Sequence, residues 1–378
     1  MKLPYVIRTV FLFGILFTAI TLKAQQNDEL LNLLIKKNVL SQKEADSLRA
    51  DLALKEQAKR DKDKENQHGI TIGSRALQIS GLIQTEYEGF EQTGVNNTFL
   101  LHRARLDVKG DINDNWNYEV YTEFAATTKL LDAYTTYKIA DFLKFTAGQF
   151  KVPFSLESLI SDSQLEFIDR SQVDNALAGR SSDVIGNQNG RDIGIQVSGS
   201  FAKVDDRYLF DYTLGVFNGA GYDVTTDNNN HKDISGRFSV HPVKDLVVSA
   251  DFYDGQGFYG TPAANQLRNR AGFDARYVLG RLSLTAEYDK GTDGTIKRDG
   301  WYGQAAYFVI PKKLQLAAKY DTYDPNKVIE TDRTTIYYYG LNYFFNNWAR
   351  FTVNYLDRHE ETTQVKNNIF EAQLQLTF

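Results

Sequence analysis

The side chains in this chain with the most chemistry to offer are charged, and they come in alternation. In residues 98–110, Arg103, Arg105, Asp107 and Lys109 fall on one side of an extended chain, and Leu100, Ala104, Leu106 and Val108 on the other. In 269–279, Arg270, Asp274 and Arg276 oppose Ala271, Phe273, Ala275, Tyr277 and Leu279. In 281–290, Glu287 and Asp289 oppose Leu282, Leu284, Ala286 and Tyr288. Such faces attract and pair ions; they do not make bonds. Groups for covalent or metal chemistry are scarce. There is no cysteine, which excludes a disulfide scaffold and a Cys-liganded zinc. None of the five histidines, His68, His102, His231, His241 and His359, sits in HExxH or a comparable ligand spacing. His102, beside the arginine pair, reads as structural. KGTDG (290–294) and VTTDNNN (224–230) hold carboxylates that could take calcium, but loops of this composition produce such strings unaided. No glycine loop cradles a phosphate at a helix start, and no basic stripe suits nucleic acid. The expectation is no enzyme, no cofactor, no metal and no nucleic-acid partner.

The elements that must position these charges are strands. From residue 77 alternation persists to EAQLQLTF (371–378), where Phe370, Ala372, Leu374, Leu376 and Phe378 share one face. Sixteen segments can be drawn, near 77–89, 98–110, 116–127, 131–139, 143–152, 191–201, 207–217, 233–241, 246–254, 269–279, 281–290, 300–310, 314–323, 334–344, 348–358 and 368–378. Every second junction is a tight turn: DINDN, IADF, HPVKD, LGRL, IPKK, FFNNW. The others, 218–232, 255–268, 291–299, 324–333 and 359–367, are longer and rich in Gly, Asn and Asp, and 153–190 is the longest. An antiparallel meander with short turns at one rim and long loops at the other predicts a transmembrane β-barrel. A soluble sandwich would alternate too, but its closed core could not accept charges in strand after strand, at several kcal/mol each. The polar face therefore meets water and the apolar face meets lipid. Tyr208, Tyr288, Tyr320, Tyr337, Tyr343 and Tyr355 are placed near strand ends, as interfacial girdles require. The 22 Tyr and 24 Phe of this 378-residue chain suit strands.

The N-terminal part differs. Lys2 and Arg8 flank an apolar run, 10–20, followed by LKA at 22–24, which reads as a signal peptide over 1–24. Residues 25–68 hold Leu30, Leu31, Leu34 and Ile35 at helical spacing, then Ala45, Leu48 and Leu52 after a Ser41/Glu44 capping box. One narrow apolar stripe fits a short periplasmic coiled coil between protomers or a solvated helical spacer, and both readings stay open.

Several stretches resemble the phosphate-selective porin O and P family of Gram-negative outer membranes. They are FLLHRARLDVKGDINDNWNYEVYTEFA (99–125), DAYTTYKIADFLKFTAGQFKVPFSLE (132–157), GRDIGIQVSGS (190–200) and LGVFNGAG (214–221). The resemblance covers nearly all of the chain beyond the signal peptide. It implies a sixteen-stranded homotrimeric barrel in outer-membrane lipid, with loop 153–190 folded into the pore as its constriction. It implies that Phe378 is part of the signal read by the barrel-assembly machinery. It also implies an anion path lined by basic residues, for which the inward faces offer Arg103, Arg105, Arg191, Arg237, Arg276, Lys319 and Arg350, and the loop Arg170 and Arg180. A guanidinium fork takes two phosphate oxygens at once.

Charge balance opposes a simple anion channel. Of the net −5, Lys2, Arg8 and Lys23 supply three positive charges, and 25–68 is neutral with nine acidic and nine basic residues, so the remainder carries −8. Glu119, Glu123, Asp132, Asp192, Asp211, Asp251, Asp274, Glu287, Asp289, Asp321 and Glu371 share the inward faces. Each cation therefore has two readings, part of an anion path or half of a wall salt bridge, and Glu119 and Glu123 are natural partners for Arg103 and Arg105. Three functions follow: a porin passing small anionic solutes of the phosphate type, a general or saccharide porin passing neutral ones, or a closed structural barrel anchored to the periplasm.

Overall fold

The computed structural model describes Lys37 and residues 70–72, 77–224 and 226–378. The expected signal peptide and helical segment lie outside the described residues, Lys37 apart. The sixteen barrel strands are β1 Leu77–Phe90, β2 Thr98–Asp111, β3 Trp116–Glu123, β4 Lys129–Ala140, β5 Leu143–Lys151, β6 Arg191–Val204, β7 Arg207–Phe217 and β8 Asp233–Val240, followed by β9 Leu246–Asp254, β10 Ala264–Leu279, β11 Leu282–Asp293, β12 Ile296–Ile310, β13 Leu314–Asp324, β14 Thr334–Phe344, β15 Ala349–Glu360 and β16 Ile369–Thr377. Each pairs antiparallel with its neighbour in sequence, and β16 pairs with β1 from Ile369↔Phe90 to Thr377↔Leu82. The ring is closed, and the ladder runs one step further, Gly81 and Phe378 exchanging backbone hydrogen bonds of 2.8 and 3.1 Å.

The faces are those of a barrel in lipid. Phe273 and Ile195, each 62% exposed, point outward, while Glu371 and Asp289, at 1% and 0%, point inward. A water-soluble domain of this size does the reverse. Aromatic rings gather at both rims. On the long-loop side Trp301, Tyr320 and Tyr337 stack in series, as do Tyr87, Phe99 and Phe370. On the short-turn side Trp116 meets Tyr137, and Phe210 lies between Phe201 and Phe238. These girdles lie where headgroups meet hydrocarbon.

Two junctions differ from the sequence expectation. Residues 291–299 are not a loop: β11 and β12 stay in register to Asp293↔Ile296, joined by Gly294–Thr295 alone. Gly294 has φ +60°, the conformation a tight hairpin asks of its glycine, and β-branched Thr292 and Ile296 extend the ladder. Asp293, read as a calcium candidate, is held by Arg270 at 2.8 Å and Arg298 at 3.0 Å. Within 255–268, strand Gln256–Tyr259 pairs with the start of β10.

Candidate functional site

The connection 152–190 between β5 and β6 turns into the barrel. It carries two short α-helical segments, α1 Leu156–Leu159 and α2 Gln172–Leu177, with a 3-10 turn at Asp162–Gln164 between them. Its apolar residues are spent on the inner wall. Phe154, Val173, Ala176 and Leu177 pack with Tyr253, Tyr302 and Tyr323 of β9, β12 and β13. Phe167 packs with Ile336, Tyr338 and Leu356 of β14 and β15. Its backbone amides are satisfied by wall side chains: Leu156 and Glu157 donate to Glu287 at 2.7 and 3.0 Å, Gln172 to Asp321 at 2.8 Å, and Ile168 to Asn354 at 2.8 Å. Wall donors in turn reach its carbonyls, Asn342 to Glu166 at 2.9 Å and Arg350 to Leu165 at 2.8 Å. A loop in a water-filled lumen needs such partners, because unpaired backbone groups are costly once covered.

The nine nominated cations all face the lumen or lie in this loop, and eight have a carboxylate within salt-bridge distance. Arg103 reaches Asp162 at 3.5 Å and donates to Gln84 at 2.7 Å. Arg105 binds Glu123 at 2.6 Å and also contacts Asp162. Arg170 binds Asp162 at 2.7 Å, and Arg180 binds Asp174 at 3.0 Å. Arg191 grips Asp132 through two hydrogen bonds of 2.9 and 2.7 Å. Arg237 sits between Asp251 and Asp274. Arg276 meets Glu166 at 3.3 Å, and Lys319 meets Glu157 at 3.1 Å amid the rings of Phe167, Tyr302 and Tyr338. Arg350 is instead held by Leu165 O and by Gln375 at 3.0 Å. The partner expected in Glu123 is correct for Arg105. Glu119 takes a hydrogen bond from Tyr134 at 2.7 Å rather than an arginine. His102 is a structural contact of Glu86.

Four of these ion pairs cross between loop and wall, a pattern that sequence spacing could not show. Asp162 is their node. Burial alone would raise its carboxyl, but Arg103, Arg105 and Arg170 hold it well below the usual carboxylate range. Asp183 is similar: burial opposes its charge, yet Arg268 and Arg270 bring it to about 2.

Against the β1–β6 wall, on the short-turn side of the loop, lies a cavity of about 840 Å³. Its charged lining is Arg105, Lys109, Lys144, Lys151 and Arg191 against Asp107, Glu119, Asp132 and Asp162. The acids are all engaged: Asp107 by Lys109 at 3.0 Å, Glu119 by Tyr134, Asp132 by Arg191, and Asp162 by its arginines. Lys151 donates to the carbonyls of Ser158, Leu159 and Ile160 at 2.9, 3.1 and 3.1 Å. Lys144 makes no ion pair with a described residue. The face of Tyr121 lies 5.5 Å from the Arg105 guanidinium and 6.0 Å from that of Arg191. Lys109, Lys144 and Lys151 were not nominated from sequence, although inward alternation places Lys109 on the same face as Arg105.

A closed sixteen-stranded barrel with an apolar belt, a charged lumen and an inward loop defines an outer-membrane porin of a Gram-negative bacterium. The chain belongs to the phosphate-selective porin O and P family, whose model matches residues 78–378. No curated protein matches the chain. Among solved structures, the trimer form of OmpT from Vibrio cholerae aligns with TM-score 0.56 and 17% identity, over 81% of this chain and 100% of its own. The anion-selective porin from Comamonas acidovorans aligns with TM-score 0.58 and 14% identity, over 81% and 100%. OprB from Pseudomonas putida aligns with TM-score 0.58 and 12% identity, over 80% and 94%. At these identities the likeness is one of fold.

Proposed function

We propose that this porin passes small anions preferentially, by a surface field and not by chemistry or tight binding. The observation that carries the reading is the charge of the open cavity. Five cations meet four side-chain carboxylates there; Asp107, Asp132 and Asp162 are paired with Lys109, Arg191 and Arg105, which leaves Lys144 and Lys151 against Glu119, so the side-chain charge is positive by one. The −8 of the barrel region is compatible with this. Half of it lies in loop 153–190, with six acidic and two basic residues, where Glu157, Asp162, Glu166, Asp174 and Asp183 are each paired with a cation, and wall acids such as Glu287 and Asp321 are covered by the loop's own amides. A cationic lining in a narrow, low-dielectric passage replaces part of an anion's hydration and repels cations.

Within this reading, loop 153–190 sets the pore size, and the lumen side chains act as ion guides and not as catalysts. The functional unit is a homotrimer, and Phe378 with its strand is the element recognised by the assembly machinery. Lys144, Lys109 and Lys151 join Arg105 and Arg191 as the path. The other nominated arginines brace loop and wall.

Single-channel currents of the purified protein in a planar bilayer under a KCl gradient test this. The expected reversal potential lies on the chloride side, with current blocked by added phosphate. A potential near zero or on the potassium side would return the reading to a general or saccharide porin. Absence of conductance would leave only the structural barrel.

A further inference from the structure

The cavity is far larger than a phosphate ion requires and falls within the range of small-molecule sites, roughly 300–1,000 Å³. Its lining is also ordered by the strand register. Asn117 of β3 stands opposite Thr136 of β4, Thr136 opposite Thr146 of β5, and Thr146 opposite Gln196 of β6. Four adjacent strands thus present one unbroken shelf of neutral hydrogen-bonding side chains to the lumen. The Thr136 and Thr146 hydroxyls are 2.9 Å apart and keep further donor and acceptor capacity. Gln196 Oε1 is buried with no hydrogen-bond partner among the described residues.

The rows on either side differ in kind. One row toward the short turns, about 7 Å away at two residues of strand rise, Lys144 faces Ser198. One row toward the loop, Glu119, Tyr134, Gly148 and Gly194 are aligned, with the Glu119 carboxylate taking the Tyr134 hydroxyl. The two glycines carry no side chain into this row, and the rings of Tyr134 and Phe150 lie 5.9 Å apart edge-to-face along the cavity. An ammonium, a hydroxyl-and-amide shelf and an aromatic edge are thus stacked along one wall.

We infer that this wall is a subsite for an anionic monosaccharide, either a hexose phosphate or a hexuronate. Lys144 takes the phosphate or carboxylate, Asn117, Thr136, Thr146 and Gln196 take the ring hydroxyls, and the C–H face of the sugar lies toward Tyr134 and Phe150. The inference rests on the anion-preferring reading above and names the solute class of that path. A small inorganic anion uses the ammonium alone. A neutral sugar uses the shelf alone. Only a solute with both groups, spaced by about one hexose, uses the two rows together.

The test is channel block in a planar bilayer by glucose 6-phosphate, glucuronate, glucose and inorganic phosphate, each added from the short-turn side. Glucose 6-phosphate or glucuronate is expected to block at concentrations about tenfold below those of both glucose and phosphate, the size expected from one or two extra hydrogen bonds. Whichever of the two anionic sugars blocks better identifies the anionic group. In Thr136→Val/Thr146→Val and in Gln196→Leu, the advantage of the anionic sugar over phosphate is expected to fall severalfold. In Lys144→Ala its advantage over glucose is expected to fall. Heat-shifted mobility of the folded barrel on gels confirms that each variant assembles. Phosphate blocking as well as the anionic sugars would overturn the inference while leaving the anion path standing. So would an advantage that survives both shelf variants. A wild-type reversal potential on the potassium side would remove both readings.

Discussion

Asp162 lies in the connection between β5 and β6, yet it contacts the guanidinium of Arg105 on β2. Arg105 also holds Glu123 on β3, so one side chain ties the loop to a wall hairpin three strands back along the ring. Arg103 and Arg170 complete a group of three guanidiniums around one carboxylate. Removing that carboxylate leaves buried, uncompensated positive charge, which is more costly than removing the whole group. Asp162→Asn is therefore expected to loosen the loop and to raise anion preference together. Noisier single-channel currents and a reversal potential further to the chloride side would show it; a shift toward potassium would count against the assignment.

Lys144 and Lys151 are the cavity's lysines without an ion pair to a described residue; Lys151 is tied to three carbonyls, which leaves Lys144 to act on the passage. Lys144→Glu changes the local charge by two units. We expect the chloride preference to fall by about half or to invert, the range of a surface field acting within a Debye length of about 10 Å. An unchanged reversal potential would place the ion path elsewhere.

Lys319 and Glu157 form a buried pair, 0% and 3% exposed, joining β13 to the loop. Lys319→Met is expected to cost about 3–5 kcal/mol of loop–wall stability, because it strands Glu157. Lys319→Met with Glu157→Gln should recover a large part of this. Protease nicking of the loop in the intact barrel reads the difference. Equal nicking of single and double variants would show that the pair is not coupled.

Asp183 supplies a pH dependence with a definite sign. Its carboxyl falls from an ordinary 3.8 to about 2 in the folded protein. The stability it lends is full above about pH 4 and is lost as the pH falls toward 2. Loop fluctuations in the current record should therefore rise between pH 4 and pH 2. Asp183→Asn should show them already at pH 7. A record equally quiet at pH 2.5 and pH 7 would contradict the Arg268–Asp183–Arg270 clamp.

Gly148 has φ +135°, and a Cβ there would lie 2.2 Å from the carbonyl oxygen of Ala133 on the neighbouring strand. Backbone cannot yield as a side-chain tip can. Gly148→Ala is expected to destabilise the β4–β5 hairpin by about 1–3 kcal/mol and to lower the temperature at which the folded band is lost on gels. A wild-type transition would show that the strand relaxes around the methyl group.

The strands were legible because a barrel in lipid carries its rule in every second residue. Phe273 and Asp274 declare their sides without reference to the rest of the chain. Loop lengths were legible where turn residues are distinctive. The 291–299 junction was not, because Gly, Thr and Asp serve both a loop and a tight hairpin, and only pairing with a neighbour decides between them. The site was half legible. Alternation placed Arg103 and Arg105 in the lumen and gave Glu123 as a partner. Nothing local could show that Asp162, some sixty residues on, would fold back to them, since that contact belongs to the path of the loop and not to any period. The shelf from Asn117 to Gln196 was hidden for the same reason: its members are neighbours across strands, at spacings set by turn length.

The pairing of β16 with β1 brings Gln84 and Gln375, 291 positions apart, into a hydrogen bond of 2.8 Å. Before that seam forms, both flanking strands carry rows of unpaired amides and carbonyls, which hydrocarbon cannot solvate. A half-inserted sheet is therefore not a stable waypoint, and entry into the bilayer and closure of the ring must proceed as one event or under the cover of another protein's strand edge. The same seam is the natural place to cut. Splitting the chain within an external loop leaves each fragment with two raw edges, and the two fragments should find each other only inside a membrane.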